Sequence, residues 1–144
     1  MTSISLIEEV TMNSPLTQGV HHIGLTVSAL EESAHFFTTL LGWKEVKRKE
    51  DYPAIFVSDG TIMLTLWQAQ TSEPVQFDRK SHVGLHHLAI KVDSKATLFE
   101  IAEKLSAHNI NIEFMPALAS GGPAMHMMCY EPSGIRIEFY WSGQ

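Results

Sequence analysis

Apolar and polar residues alternate in two short stretches of the chain that are similar to each other. Residues 21–27 read His-His-Ile-Gly-Leu-Thr-Val, and residues 86–92 read His-His-Leu-Ala-Ile-Lys-Val. A period of two predicts a strand with an aliphatic face toward a core and a small or polar face opposite. Each polar face carries a histidine at the same place, His22 in the first copy and His87 in the second.

The same order of elements is predicted after each histidine pair. In the first copy, Ser28 and the Glu three residues later form a capping-box pattern, and apolar residues at helical spacing follow until Gly42. Alternation and turn residues then predict the strands of the first copy, over residues 20–27, 43–48, 54–58 and 61–68. The second copy is predicted to contain a helix over 95–107, strands over 85–92, 111–115, 125–130 and 135–141, and a glycine-rich loop over 116–124.

This order predicts an α+β domain built from two tandem βαβββ modules. The first module is predicted over residues 20–68 and the second over 85–144, with a polar linker over 69–84. Residues 1–19 are predicted to be an N-terminal leader. A chain of 144 residues is long enough for a single domain with a substantial core.

Composition narrows the class of partner. Hydrophobic residues make up 44% of the chain and charged residues 18%, which is typical of a globular protein. The net charge of −6 disfavours nucleic acid and anionic membranes as partners, since both attract basic surfaces. The single cysteine, Cys129, cannot form an internal disulfide and suits a reducing compartment, so we expect a cytoplasmic protein.

A third alternating stretch completes a candidate metal site. In Ile135 to Trp141, Glu138 lies on the polar face of the predicted strand. If the polar faces of the three strands line one cavity, His22, His87 and Glu138 converge there. Two imidazoles and a carboxylate are the ligands of a divalent metal with open positions, and Fe, Mn, Zn, Ni and Co all remain candidates.

Four motifs make the chain resemble the vicinal oxygen chelate superfamily, which includes glyoxalase I, extradiol dioxygenases, fosfomycin-resistance thiol transferases and bleomycin-resistance proteins. They are His22-Ile-Gly-Leu-Thr-Val, Phe36-Phe-Thr-Thr-Leu-Leu-Gly42, His87 and Glu131-Pro-Ser-Gly-Ile-Arg-Ile-Glu138-Phe. The resemblance implies a glyoxalase-like fold in which the paired modules form a curved mixed sheet around a central metal pocket, often in a homodimer. It also implies a metal held at His22, His87 and Glu138 and chelated by two neighbouring oxygens of the substrate.

The chain departs from this family pattern in the fourth strand of the first module. Glyoxalase I and many relatives have a carboxylate ligand there, whereas residues 61–67 contain no acid, and Met63 or Thr65 is nearest to its position. The departure argues against a standard glutathione-linked glyoxalase. A site of two histidines and one glutamate is closer to the dioxygenases and the thiol transferases.

Other polar residues of the second module are candidates for catalysis or substrate binding. His126 is predicted on the strand beside that of Glu138, where it would suit general acid/base catalysis together with that carboxylate. Arg136 and Tyr140 share a strand face with Glu138 and could bind the substrate. For Arg136, an ion pair within the protein is the alternative interpretation.

These observations predict a divalent-metal-dependent lyase, isomerase or dioxygenase that acts on a small oxygenated substrate. The alternative is a non-catalytic protein that binds or sequesters a small molecule, as the bleomycin-resistance type does. We expect a homodimer, and the sequence leaves open whether the metal site lies within one chain or is shared between two.

Overall fold

The computed structural model describes residues 14–144, so most of the predicted leader over residues 1–19 lies outside the described residues. The fold is α+β and consists of two tandem modules, as predicted. The first module contains β1 (Ile23–Val27), α1 (Leu30–His35) continued by a π-helical turn (Phe36–Leu40), β2 (Lys44–Lys49), β3 (Ala54–Ser58) and β4 (Met63–Gln68). The second contains β5 (Leu88–Val92), α2 (Lys95–Ala107), β6 (Asn111–Leu118), β7 (Met125–Tyr130) and β8 (Arg136–Trp141).

Each module forms a four-stranded mixed sheet, with the strand orders β1-β4-β3-β2 and β5-β8-β7-β6. The first strand of each module pairs in parallel with the last, and the other neighbours are antiparallel. Gly24 is paired with Thr65 in the first sheet, and Ala89 is paired with Glu138 in the second. Gly24 and Ala89 occupy the same position in the repeat, two residues after His22 and His87. Their strand partners, Thr65 and Glu138, therefore occupy equivalent positions in the two sheets.

The alternating pattern of β1 and β5 corresponds to their burial. Leu25 and Val27 are buried while Gly24 and Thr26 are exposed, and β5 repeats this arrangement. One apolar core contains residues of both modules, and its largest fully buried side chains are Phe36, Phe37, Phe139, Ile55, Leu64, Leu66, Leu98, Leu105, Met127 and Ile137. Residues 14–144 contain no helix with the length and apolarity needed to cross a membrane.

The start of α1 differs from the predicted capping box. Ser28 is not the N-cap residue, and the cap position, Ala29, makes no side-chain capping bond. Instead, the first free amides are bound by distant side chains: Ser133 Oγ accepts from Ser28 N and Ala29 N at 3.2 and 3.1 Å, and Gln68 Oε1 accepts from Leu30 N at 3.2 Å. Tertiary contacts thus satisfy the orphan donors that a local cap would otherwise bind.

The other predicted helix boundaries agree with the structure. Gly42 ends the first helical segment with a φ of 78°, a conformation that glycine adopts without strain, and its N–H bonds Thr38 O. Ser94 caps α2, because its hydroxyl accepts a 3.0 Å bond from Thr97 N.

The predicted loop over residues 116–124 is shorter than expected, because β6 continues to Leu118. Of the two prolines in this stretch, Pro116 lies within β6 and is accommodated at a register shift between Phe114 and Ala117. Since β6 is an edge strand, the missing N–H of Pro116 removes no hydrogen bond from the centre of the sheet.

Candidate functional site

The Glu138 carboxylate lies between two imidazoles on the polar face of the second sheet. Its side chain is mostly buried, and it belongs to the middle of β8, where Ala89 and Met128 flank it on the neighbouring strands. His87 precedes β5, and its Nε2 lies 3.3 Å from Glu138 Oε1. His126, on β7, has its Nδ1 2.5 Å from Glu138 Oε2.

The two separations indicate different roles. Metal bonds of ~2.0–2.1 Å place neighbouring ligand atoms about 2.9–3.4 Å apart, in octahedral or tetrahedral geometry. The 3.3 Å between His87 Nε2 and Glu138 Oε1 falls in this range, so one ion could bind both atoms. The 2.5 Å contact of His126 is a hydrogen bond, too short for two ligands of one ion. His126 therefore holds the carboxylate from the side away from His87.

His22 lies on the other module and is apart from this cluster. Its side chain is exposed, and its Nδ1 contacts His21 Nδ1 at 2.9 Å. The pair His86 and His87 makes the same contact at 2.8 Å, so the repeat extends to ring packing. Within residues 14–144, no three His, Cys, Asp or Glu side chains form a group able to hold a metal ion. One chain thus brings together two of the predicted ligands and leaves His22 separate.

The first module offers a hydroxyl where the second has its carboxylate. Thr65 is buried, and its Oγ1 accepts a 3.0 Å hydrogen bond from Trp67 Nε1. Tyr52 and Phe56 pack against the Trp67 ring at centroid distances of 5.0 and 5.8 Å. Lys49 Nζ lies 5.2 Å from the same ring. Module one therefore presents an aromatic and cationic surface without a carboxylate ligand.

Arg136 pairs with an acid of the same module. Its Nε and Nη2 bind Glu113 Oε1 and Oε2 at 2.9 and 2.8 Å, so the ion pair that we considered as the alternative is present. Tyr130 also donates to Glu113 at 2.5 Å, and Arg79 Nη1 donates to the Tyr130 hydroxyl at 3.0 Å. The hydrogen bond from Arg136, helped by that from Tyr130, lowers the pKa of Glu113 to about 2.

Tyr140 is half-exposed at the far side of the candidate site. Its ring lies edge-on to the His126 ring, with 6.2 Å between the centroids, and Phe114 packs on His126 at 4.9 Å. Two aromatic rings thus fix the orientation of the imidazole that holds Glu138. The ring of Tyr140 therefore borders the cluster of His87, Glu138 and His126.

Sequence reasoning missed the role of a second buried acid, Glu131. Its Oε1 accepts from Ser133 N and Ile135 N at 2.7 and 3.0 Å, and its Oε2 accepts from Ser33 of the first module. Burial raises the pKa of Glu131, and these hydrogen bonds oppose the rise. The Glu-Pro-Ser-Gly turn was visible as a motif, but its contact with Ser33 depends on how the modules pack.

Comparisons with known proteins agree with this architecture. The sequence profile of the Glyoxalase/Bleomycin resistance protein/Dioxygenase superfamily matches residues 19–139. An uncharacterized protein of Bacillus subtilis, YqjT, is 30% identical over 124 residues, which cover 83% of this chain and 95% of YqjT. Catechol-2,3-dioxygenase of the same organism is 32% identical over 124 residues, but these span only 41% of that enzyme.

Solved structures give the same assignment of the fold. A glyoxylase/bleomycin resistance protein/dioxygenase domain from Frankia superposes with a TM-score of 0.77 at 23% identity, covering 88% of this chain and 98% of that domain. The profile match extends from the first repeated histidine pair to β8, the strand of Glu138. The chain is accordingly a member of the glyoxalase, bleomycin resistance protein and dioxygenase superfamily.

Proposed function

We propose that the chain is a divalent-metal-dependent enzyme whose substrate chelates the metal through two neighbouring oxygens. The metal would be held by His22, His87 and Glu138. The observation that carries this proposal is the 3.3 Å separation of His87 Nε2 and Glu138 Oε1, which suits two ligands of one ion. The donor types, two neutral imidazoles and one carboxylate, suit Fe, Mn, Zn, Ni or Co.

The third ligand, His22, would come from a second copy of the chain. Its ring is exposed and lies on module one, away from Glu138 of the same chain. Apolar side chains are exposed close to both histidine pairs: Leu16 and Val20 before the first, Val83 and Leu85 before the second. A homodimer that places module one of each chain against module two of its partner would bring His22 to Glu138 and cover these residues.

Three ligands leave open positions for the substrate, and a bound metal would supply Lewis-acid chemistry there. The chain itself contributes the orientation of Glu138, which His126 holds through Nδ1. His126 can also take up or release a proton close to the substrate. Thr65 cannot act as the carboxylate base of module one, so proton transfer would fall to His126, the imidazole that is not a proposed ligand, together with Glu138 beside it.

Among the reaction classes, we favour a dioxygenase that acts on an aromatic vicinal diol. The cluster of Trp67, Phe56 and Tyr52 would provide an aromatic surface for a ring. The absence of a carboxylate at Thr65 leaves the ligand set of the dioxygenases, and a catechol dioxygenase is among the relatives. Oxygen uptake by Fe(II)-loaded protein with catechol as the probe tests this class, and loss of catechol without oxygen uptake would contradict it.

Metal analysis tests the proposal as a whole. Gently purified protein should contain about one metal ion per chain, and His22→Ala, His87→Ala and Glu138→Ala should each abolish stoichiometric binding while leaving the circular dichroism unchanged. His35→Ala, on the exposed side of α1, is the matched control and should keep the metal. Wild-type metal content in any of the three ligand variants would contradict the site. A metal-free wild type that binds small molecules would instead favour the sequestering alternative.

A further inference from the structure

A cavity of 380 Å³ lies between the two modules, apart from the candidate metal ligands. It is bounded by β1, by the linker between the modules and by the turn that leads into β8. Neither His87 nor Glu138 lines it. Its apolar wall consists of Leu25, Val27, Val75, Phe77, Leu85 and Ile135. A cavity of this volume with an apolar wall can enclose a small organic molecule.

One end of the cavity is cationic. Arg79 and Arg136 both line it, and their side chains are only 24% and 12% exposed. Glu113 is the single acid that pairs with the two guanidinium groups in the described part of the chain. Arg136 binds it through Nε and Nη2. Two partly buried cations that share one acid leave an excess of positive charge beside the cavity.

We propose that this cavity binds a small amphipathic carboxylate, with its apolar part between the modules and its carboxylate against the guanidinium groups of Arg79 and Arg136. Guanidinium groups bind carboxylates more strongly than they bind neutral oxygens, because the hydrogen bonds are charge-assisted. None of the candidate metal ligands lines the cavity, although His86, which does line it, contacts His87 at 2.8 Å. The proposal does not depend on the proposed reaction.

Phenylacetate and its neutral counterpart phenylacetamide, titrated into the full-length protein in its native oligomeric state, test the proposal. Val75 is 90% exposed at the cavity wall, so the matched variants Val75→Asp and Val75→Asn should both fold. The aspartate should weaken phenylacetate binding at least about fivefold relative to the asparagine, by like-charge repulsion, and leave phenylacetamide unaffected. Equal phenylacetate affinity in the two variants would overturn the proposal.

Removing a guanidinium tests the same end of the cavity. Arg79→Gln should weaken phenylacetate binding about tenfold or more, whereas Lys80→Gln, which removes an exposed neighbouring charge outside the cavity, should not. Amide shifts in NMR should concentrate on residues 24–28 and 133–136, and His87→Ala should retain them. No saturable binding, equal binding of phenylacetamide, or shifts lost in His87→Ala would each contradict an anion site in this cavity. The metal content of Arg79→Gln, measured in parallel, reports separately on the proposed enzyme.

Discussion

At the scale of single residues, the geometry around Glu138 distinguishes a candidate ligand, His87, from a candidate positioning residue, His126. His87 approaches one carboxylate oxygen at 3.3 Å, and His126 approaches the other at 2.5 Å. Phe114 and Tyr140 pack on the His126 ring, so the hydrogen bond holds the carboxylate in a fixed orientation. Such outer partners commonly raise the affinity of a metal site without touching the ion.

His126→Ala should therefore weaken metal binding about 10–100-fold without abolishing it. His126→Asn should restore most of the affinity, because the asparagine amide can donate from nearly the same place as Nδ1. Competition with a chelator of known affinity measures both values. Wild-type affinity in His126→Ala, or an equal loss in both variants, would show that His126 does not position the carboxylate.

At the scale of elements, hydrogen bonds among Ser33, Glu131 and Ser133 connect α1 of the first module to the β7–β8 turn of the second. Ser33 of α1 donates to Glu131 and contacts Ser133 Oγ at 2.6 Å, and Ser133 in turn accepts from the first amides of the helix. Three polar side chains thereby satisfy one another and the start of α1. Within residues 14–144, every fully buried side-chain nitrogen and oxygen has a partner. Loss of these hydrogen bonds should therefore lower the free energy of unfolding.

Glu131→Ala would leave Ser33 Oγ and two backbone amides without their acceptor. The free energy of unfolding should fall by about 2–4 kcal/mol, because buried donors that lose a partner keep their desolvation cost. Glu103→Ala, on the exposed face of α2, is the matched control and should change it by less than about 0.5 kcal/mol. Urea unfolding at neutral pH measures the free energy of unfolding of both variants. A similarly small change in the two would contradict a stabilising role for the hydrogen bonds of Glu131.

The same carboxylate should make stability depend on pH. Since burial raises the pKa of Glu131 above its ordinary 4.5, the folded protein holds this proton more tightly than the unfolded chain does. The stability that this proton contributes is present below pH 4.5 and is lost as the pH rises through the raised pKa of Glu131. The stability of the wild type relative to Glu131→Gln should therefore decrease as the pH rises from 4.5 through the raised pKa. A difference that stays constant or increases over this range would contradict the raised pKa.

Local signals in the sequence were sufficient for most elements. The bounds predicted for β3, α2 and β7 are those observed, because strand alternation, the Ser94 cap and the turn residues act within a few positions of the chain. The start of α1 and the end of β6 were predicted incorrectly. Ser133 and Gln68 replace the local cap, and the edge position of β6 tolerates Pro116, so both outcomes depend on distant partners.

The candidate site was predictable to a smaller extent. The repeat identified His87 and the alternation of residues 135–141 identified Glu138, and these two lie together. The choice between Met63 and Thr65 required the pairing of Gly24 with Thr65. The short bond from His126 to Glu138 required the register of β7 and β8, which pairs His126 with Tyr140. The position of His22 relative to Glu138 depends on how whole modules pack, and no local sequence pattern encodes that packing.

At the scale of the whole molecule, the two modules share one core but separate their candidate ligands. The core includes residues of both modules, whereas His22 and Glu138 lie on polar faces with no contact between them in the described chain. We therefore propose that a second chain completes the site with all three ligands. The proposed homodimer has two equivalent sites, each built from module one of one chain and module two of the other.

Mixing two inactive variants tests this central claim most directly. Differently tagged His22→Ala and His87→Ala chains are refolded together, and the mixed dimer is isolated through both tags and analysed for metal. One of its two sites then lacks both histidines and the other keeps all three ligands, so the mixed dimer should bind about half the wild-type metal while each parent variant binds none. A mixed dimer as metal-free as its parents, or a wild type that sediments as a 16.1 kDa monomer, would contradict a site shared between two chains.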